Sequence, residues 1–198
     1  MRMMLTGAGA VGECILKMLE KRDPKGEWLS YVLLADFDLK RADEVKSHLE
    51  QERKYREGTQ YETAQVDARD REALTALMRE HRIDFVMDAA SPFVSNFIFD
   101  AAFEAGADYA SMGTWSVPKD HPEFGKGFEG AYLEPMTKYN FDRHEAWKEK
   151  GQMACICLGI DPGVVNVFAK YAAEYLFDEL LEVHVKDGGN LTLMDSND

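Results

Sequence analysis

Short apolar runs alternate with helical spacings along most of the chain. Met3-Met4-Leu5 leads into Gly7-Ala8-Gly9-Ala10-Val11-Gly12. Val11, Cys14, Ile15, Met18 and Leu19 then fall at i, i+3, i+4, i+7 and i+8, which predicts a helix with these residues on its buried face. Asp23-Pro24-Lys25-Gly26 ends it with two breakers. Tyr31 to Ala35 is continuously apolar, the pattern of a strand covered on both faces. Leu39, Ala42, Val45 and Leu49 predict a second helix, Tyr61 to Val66 a third strand, and Leu74, Leu77 and Met78 a third helix. Phe85-Val86-Met87 is a fourth strand. Val94, Phe97, Ile98, Ala101, Ala102 and Ala105 share one helical face, and Asp108 to Ala110 is a short fifth strand.

This β-α alternation predicts an α/β fold, a doubly wound parallel sheet of Rossmann type, because each right-handed crossover lays its helix over a sheet face. Such sheets hold ligands at the carboxyl ends of their strands, so functional residues are expected just after each strand. The rhythm breaks at Ser111 to Asn140, which contains Pro118, Pro122, Pro135, Gly125, Gly127 and Gly130 among aromatics such as Trp115, Phe124, Phe128 and Tyr132. A stretch of this length without regular structure is often functional, a lid or packing arm. A polar helix is expected near Phe141 to Lys150, then an apolar strand run, Met153 to Leu158. Val164, Val167, Phe168, Tyr171, Ala172 and Tyr175 predict another helix, and the alternation of Leu181, Val183 and Val185 with polar neighbours predicts a strand with one buried face. Residues 1–160 are expected to form the dinucleotide-binding domain and 161–198 the beginning of a second, incomplete domain.

Composition narrows the partners. The 198 residues include 36 acids and 23 bases, a formal charge of −13, with 45% apolar residues. That apolar content suits a folded globular chain, and the acidity argues against nucleic acid, whose binding rests on Lys and Arg at phosphates. No apolar run approaches the ~18 residues that a membrane span requires, and Met1 to Leu5 is too short for a signal-peptide core. Three cysteines are no disulfide framework, so a reducing, cytoplasmic setting is expected. Cys155 and Cys157 lie in an apolar run without a ligand cluster; they and Cys14 read as core, and no metal site is expected. His81 continues the apolar spacing of its helix and reads as packed. His48, His121, His144 and His184 read as surface.

The chemistry lies in the turns. Gly7-x-Gly9-x-x-Gly12 follows a strand and opens a helix, the context in which this motif binds dinucleotides. Gly7 allows the tight turn, Gly9 admits a pyrophosphate, and Gly12 lets helix and strand pack closely. Ala10 and Val11 supply helix N-terminal amides for the phosphates. Asp36, at the end of the second strand, is placed to accept ribose hydroxyls. An acid there favours NAD, whereas Lys40 and Arg41 nearby offer a counter-charge for the 2′-phosphate of NADP; the balance leans to NAD, with Asp38 as the fallback ribose ligand. Asp67 either lines the adenine edge or caps the next helix. Ala89, Ala90 and Ser91 follow the fourth strand; the small residues let a cofactor lie against backbone, and Ser91 either meets the nicotinamide-side ribose or caps a turn. Asp161-Pro162 suits the cap and first position of a helix, whose exposed amides are a candidate carboxylate site.

Gly7 to Gly12, Ala35-Asp-Phe-Asp38, Asp88-Ala-Ala-Ser-Pro92 and Gly159-Ile-Asp-Pro-Gly163 with Asn166 resemble the saccharopine dehydrogenase-like oxidoreductases, which include carboxynorspermidine and homospermidine enzymes. The resemblance implies an NAD(P)-binding domain and a second α/β substrate domain, with hydride transfer at a secondary amine or imine carbon of an amino-acid or polyamine substrate. It implies a homo-oligomeric full-length form, with Asp161 and Asn166 on the substrate-facing rim. Members are longer, so Leu181 to Leu193 would begin the substrate domain, and this chain alone is expected to bind dinucleotide but turn over poorly. A non-catalytic dinucleotide sensor or interaction module is the alternative. The catalytic acid or base has no candidate.

Overall fold

A computed structural model of the chain describes residues 1–53, 58–115 and 135–186. Six strands form one sheet: β1 (Arg2–Thr6), β2 (Tyr31–Asp36), β3 (Gln60–Gln65), β4 (Phe85–Asp88), β5 (Asp108–Ser111) and β6 (Ala154–Cys155). Their order is β3-β2-β1-β4-β5-β6 and every pair is parallel. The connecting helices are α1 (Ala10–Arg22), α2 (Leu39–Glu52), α3 (Arg71–Glu80) and α4 (Ser95–Ala105), the last preceded by a 3₁₀ turn at Pro92–Val94. This is the doubly wound Rossmann sheet that the alternation predicts. The strand order reverses between β1 and β4, where the connections leave in opposite directions and open a crevice.

The pleat divides the core in two. Tyr31, Leu33 and Ala35 of β2 point into the cluster under α3 and α4, with Met4, Leu74, Met78, Ile98 and Phe99. Val32 and Leu34 point the other way, into the cluster under α2, with Met3, Leu5, Leu16, Val45 and Leu49. One uninterrupted apolar strand thus serves both layers.

The α1 face differs from the spacing argument. Gly12 and Leu16 are buried, whereas Val11, Cys14 and Met18 are exposed. The cause is backbone contact: an added Cβ on Gly12 would lie 2.0 Å from the Gly7 carbonyl oxygen, so the helix must turn its bare residue inward. The stripe two positions away then faces outward. In α4 the buried aromatic is Phe99, while Phe97 is on the surface.

Beyond β5 the predictions fare less evenly. Residues 116–134 lie outside the described residues, and with them Pro118, Pro122, Phe124, Tyr132 and His121. The polar helix divides into α5 (Lys138–Phe141) and α6 (His144–Glu149). Its anchor is Trp147, buried against Phe99 at a centroid separation of 4.7 Å. The apolar run Met153 to Leu158 contributes only the edge strand β6, because Cys157 takes a φ of +63° and ends the extended backbone. As an edge it leaves Cys155 exposed and Cys157 half-buried, which overturns the expectation of core cysteines. α7 (Val164–Tyr175) keeps the predicted helical period, yet none of its residues is buried. Leu181, Val183 and Val185 form no strand, and Leu181 is 85% exposed. A one-faced strand needs neighbours to pair its backbone and cover its apolar side, and none does so among the described residues. No helix among the described residues is long and apolar enough to cross a membrane.

Leu33 is fully buried at the centre of β2. Leu33→Ala is expected to lower the unfolding free energy by about 3 kcal/mol, read from the midpoint shift of urea denaturation at unchanged slope.

Candidate functional site

The crevice at the β1–β4 switch point is a cleft of about 440 Å³, walled by Gly7 and Gly9 on one side and Ala89, Ala90 and Ser91 on the other. Asp36 and Asp67 close its far end. The Gly7 turn is stitched to both neighbours of β1: its amide donates to the Ala35 carbonyl at 2.9 Å, and the Ala89 amide donates to the Thr6 carbonyl at 2.9 Å. Gly7 has a φ of +95°, and a Cβ there would lie 2.7 Å from the Ala89 oxygen. At Gly9, by contrast, an added Cβ would meet nothing within 4 Å. That open space faces the cleft at the N-terminus of α1, where unpaired amides and the positive dipole end favour an anion. Ala10 and Val11 form the first turn of α1 and are exposed.

Asp36 ends β2 half-buried. Its Oδ2 accepts from the Ala8 amide at 2.6 Å and its Oδ1 from the Asp38 amide at 2.8 Å. A carboxylate has about four lone-pair positions, so each oxygen retains one for a ribose hydroxyl. Asp38, the fallback, caps α2, its Oδ1 accepting from the amides of Lys40 and Arg41 at 3.0 and 3.3 Å, and it is not among the residues lining this cleft. Nor does Asp67 cap α3, a role taken by Asp70, which accepts from the Ala73 amide at 2.9 Å. Asp67 instead pairs with Arg69, Oδ2 to Nη2 at 2.7 Å, and that guanidinium holds its carboxyl at about 2. Ser91 makes no side-chain capping bond and stands exposed on the cleft wall.

Asp161 and Asn166 are not among the residues that line this cleft. Asp161 does not cap α7; Gly163 does, with a φ of +142°, and its amide donates to Asn166 Oδ1 at 3.1 Å. A side chain at Gly163 would collide with the Gly159 carbonyl at 2.1 Å, so the chain turns into the helix at the glycine, two residues beyond Asp161.

Sequence reasoning gave no role to Asp88, Phe37 or Arg69. Phe37 and Arg69 line the cleft directly after the Asp36 and Asp67 positions. Asp88 lies beneath it, 2% exposed. Its carboxylate accepts from Thr6 Oγ1 at 3.1 Å, the Ala90 amide at 3.0 Å and the Tyr109 hydroxyl at 2.8 Å, tying the ends of β1 and β5 to the Ala89-Ala90 wall. Burial raises its pKa above the usual carboxylate range against those donors. The signal was available: a lone acid closing a buried strand, beside a threonine closing its neighbour.

The family described as "Saccharopine dehydrogenase NADP binding domain" matches residues 3–155. The chain belongs to this family. Its matched span, β1 to β6, holds the whole sheet and the cleft, and it is an NAD(P)-binding domain. The chain is 30% identical over 189 residues to carboxynorspermidine synthase of Vibrio cholerae serotype O1, covering 94% of this chain and 43% of that protein. It is 26% identical over 186 residues to carboxyaminopropylagmatine dehydrogenase of Synechocystis, covering 94% and 41%. It therefore spans less than half the length of these curated relatives. Apo saccharopine dehydrogenase (L-Glu forming) from Saccharomyces cerevisiae shares its fold, with a TM-score of 0.59 at 15% identity over 87% of this chain and 30% of that one.

The Asp88 network sets two expectations. Tyr109→Phe removes a bond to a buried carboxylate and is expected to cost about 2 kcal/mol at neutral pH, measured by urea unfolding. A raised folded-state pKa means that Asp88 contributes most below the ordinary carboxylate range and loses that contribution as pH rises through the raised value. The stability difference between wild type and Asp88→Asn should thus shift in favour of wild type between pH 7 and pH 4.

Proposed function

We propose that this chain is the dinucleotide-binding part of an oxidoreductase that transfers hydride at a secondary amine or imine carbon of an amino-acid or polyamine substrate, in a cytoplasmic setting. The observation that carries the cofactor role is the contrast among the three glycines: side chains at Gly7 and Gly12 would strike backbone, whereas one at Gly9 would fill an open cradle at a helix N-terminus. A bound nicotinamide cofactor would accept the hydride from the amine carbon in oxidation and donate it to the imine carbon in reduction. The chain's own residues bind and orient it. The α1 amides from Ala10 onward receive the pyrophosphate, and Asp36 accepts the adenosine ribose hydroxyls. Asp67 borders the adenine end with Phe37, and the small residues Ala89 and Ala90 with Ser91 admit the nicotinamide side.

NAD is the proposed partner, although the family description names NADP. Asp36 presents a carboxylate where a 2′-phosphate would sit, and Arg41 is already engaged by the Ala8 carbonyl at 2.9 Å and Glu13 at 2.6 Å. The substrate class rests on the names of the relatives, a carboxynorspermidine synthase and a carboxyaminopropylagmatine dehydrogenase. Residues 161–198 are proposed to begin the substrate domain, with Asp161 and Asn166 at its rim, and the full-length protein to be a homo-oligomer.

Titration with NADH and NADPH, followed by fluorescence, tests the cofactor role. Gly9→Ala is expected to fold normally, since its φ of −70° and free surroundings accept a methyl group, yet to weaken NADH binding at least about tenfold by blocking close approach. Asp36→Ala is expected to abolish the preference for NADH. In a protein carrying the substrate domain, NAD-dependent oxidation of opine-like secondary amines, saccharopine among them, is the expected activity. Dinucleotide binding with no such oxidation would instead indicate a sensor.

A further inference from the structure

Two cationic side chains, Lys17 on α1 and Arg41 on α2, converge on one carboxylate near the glycine turn. Glu13, in the first turn of α1, holds Arg41 Nη2 at 2.6 Å and Lys17 Nζ at 3.2 Å, with His48 Nδ1 at 3.4 Å. These neighbours keep its carboxyl below the usual range, so it stays ionised at neutral pH. Arg41 is fixed from two further sides: its Nε donates to the Ala8 carbonyl at 2.9 Å, and Nη1 lies 3.7 Å from Glu44. Ala8 also donates its amide to Asp36 at 2.6 Å. The guanidinium and the Asp36 carboxylate therefore grip opposite polar groups of the same residue, which places the Arg41 cation across Ala8 from the acid proposed to hold the ribose. Lys40, the other base after β2, points to solvent with its side chain 85% exposed and only a 3.8 Å contact to Glu44.

We propose that Glu13 is a specificity-determining residue: by occupying Arg41 it withholds the cation that a 2′-phosphate needs, and so it enforces selection of the unphosphorylated dinucleotide together with Asp36. The inference rests on the dinucleotide reading of the cleft and adds a second carboxylate to the discrimination. Glu13 is a positioning residue that acts through Arg41. Its removal leaves Lys17 and Arg41 without their shared counter-charge at the edge where the extra phosphate arrives, and a planar guanidinium suits that phosphate through paired donors.

The test is the ratio of NADPH to NADH dissociation constants, measured by fluorescence titration at one fixed ionic strength. In Glu13→Gln, which keeps size and removes charge, the ratio is expected to move about tenfold toward NADPH, the scale of one charge-assisted bond to phosphate. Adding Arg41→Ala to that variant should return the ratio to the wild-type value, which a merely structural role for Glu13 would not produce. Melting temperatures confirm folding, and Glu13→Ala is the second variant should Glu13→Gln fail to fold. An unchanged ratio in the folded variants overturns the proposal, as does a shift that survives Arg41→Ala or a wild type that already prefers NADPH. If wild type binds neither nucleotide, the dinucleotide reading falls and the proposal with it; binding with a ratio insensitive to Glu13 overturns the proposal alone.

Discussion

The turn from β1 into α1 is tighter than any side chain permits, and the rest of the site is arranged around that fact. The Gly7 carbonyl occupies the space where a Cβ of Gly12 would stand, 2.0 Å away, and Ala89 presses on Gly7 from β4. Backbone packed against backbone brings the N-terminus of α1 to the carboxyl edge of the sheet at the one place where the strand order reverses. The same contact fixes the rotation of α1, burying Gly12 and Leu16 and turning Val11, Cys14 and Met18 outward. The anion site and the helix face thus share a single steric cause.

Once placed, the turn is held by charge. Ala8 is fully buried between two clamps, its amide on Asp36 and its carbonyl on Arg41. A protein of formal charge −13 that is to receive a diphosphate must keep its own acids from repelling it. The acids around the cleft are accordingly satisfied: Asp36 by two amides, Asp67 by Arg69, Glu13 by Arg41 and Lys17, and Asp88 by burial among hydroxyl and amide donors. Each such bond lowers the effective negative charge facing the ligand, while the helix dipole and free amides supply the attraction. The arrangement also couples Asp36 and the glycine turn to α2, because Arg41 and the Asp38 cap belong to the same helical turn.

Much of this was legible in the residue pattern, and the exceptions share a reason. Strands β1, β2 and β4 could be located because a sheet covered on both faces leaves continuous apolar runs, β3 and β5 because short strands recur between the helices, and α1 to α4 because helices leave a 3.6-residue period. Gly7, Gly9, Gly12 and Asp36 could be read because each answers a local demand of a strand-turn-helix unit. Asp88 was marked by its position closing a buried strand, but its partners Thr6 and Tyr109 come from other strands and only the fold pairs them with it. Phe99 and Phe97 were indistinguishable by composition. Trp147 looked like part of a polar helix until its packing on Phe99 was known. In the Met153 to Leu158 and Leu181 to Val185 segments the apolar pattern predicted buried strand faces that the structure leaves exposed, because a strand exists only where a neighbour supplies its hydrogen bonds.

The sequence by itself determined the element order, the doubly wound sheet, the glycine turn and the acid that follows β2, because all of these are encoded in spacings of a few residues. Only the tertiary structure decided which face of α1 is buried, which acids cap helices and which remain at the cleft, and that Arg41 is held by Glu13 at 2.6 Å instead of standing free for a phosphate. Those outcomes depend on contacts between residues remote along the chain. There the close approach of backbones and the pairing of buried charges override what any local pattern records.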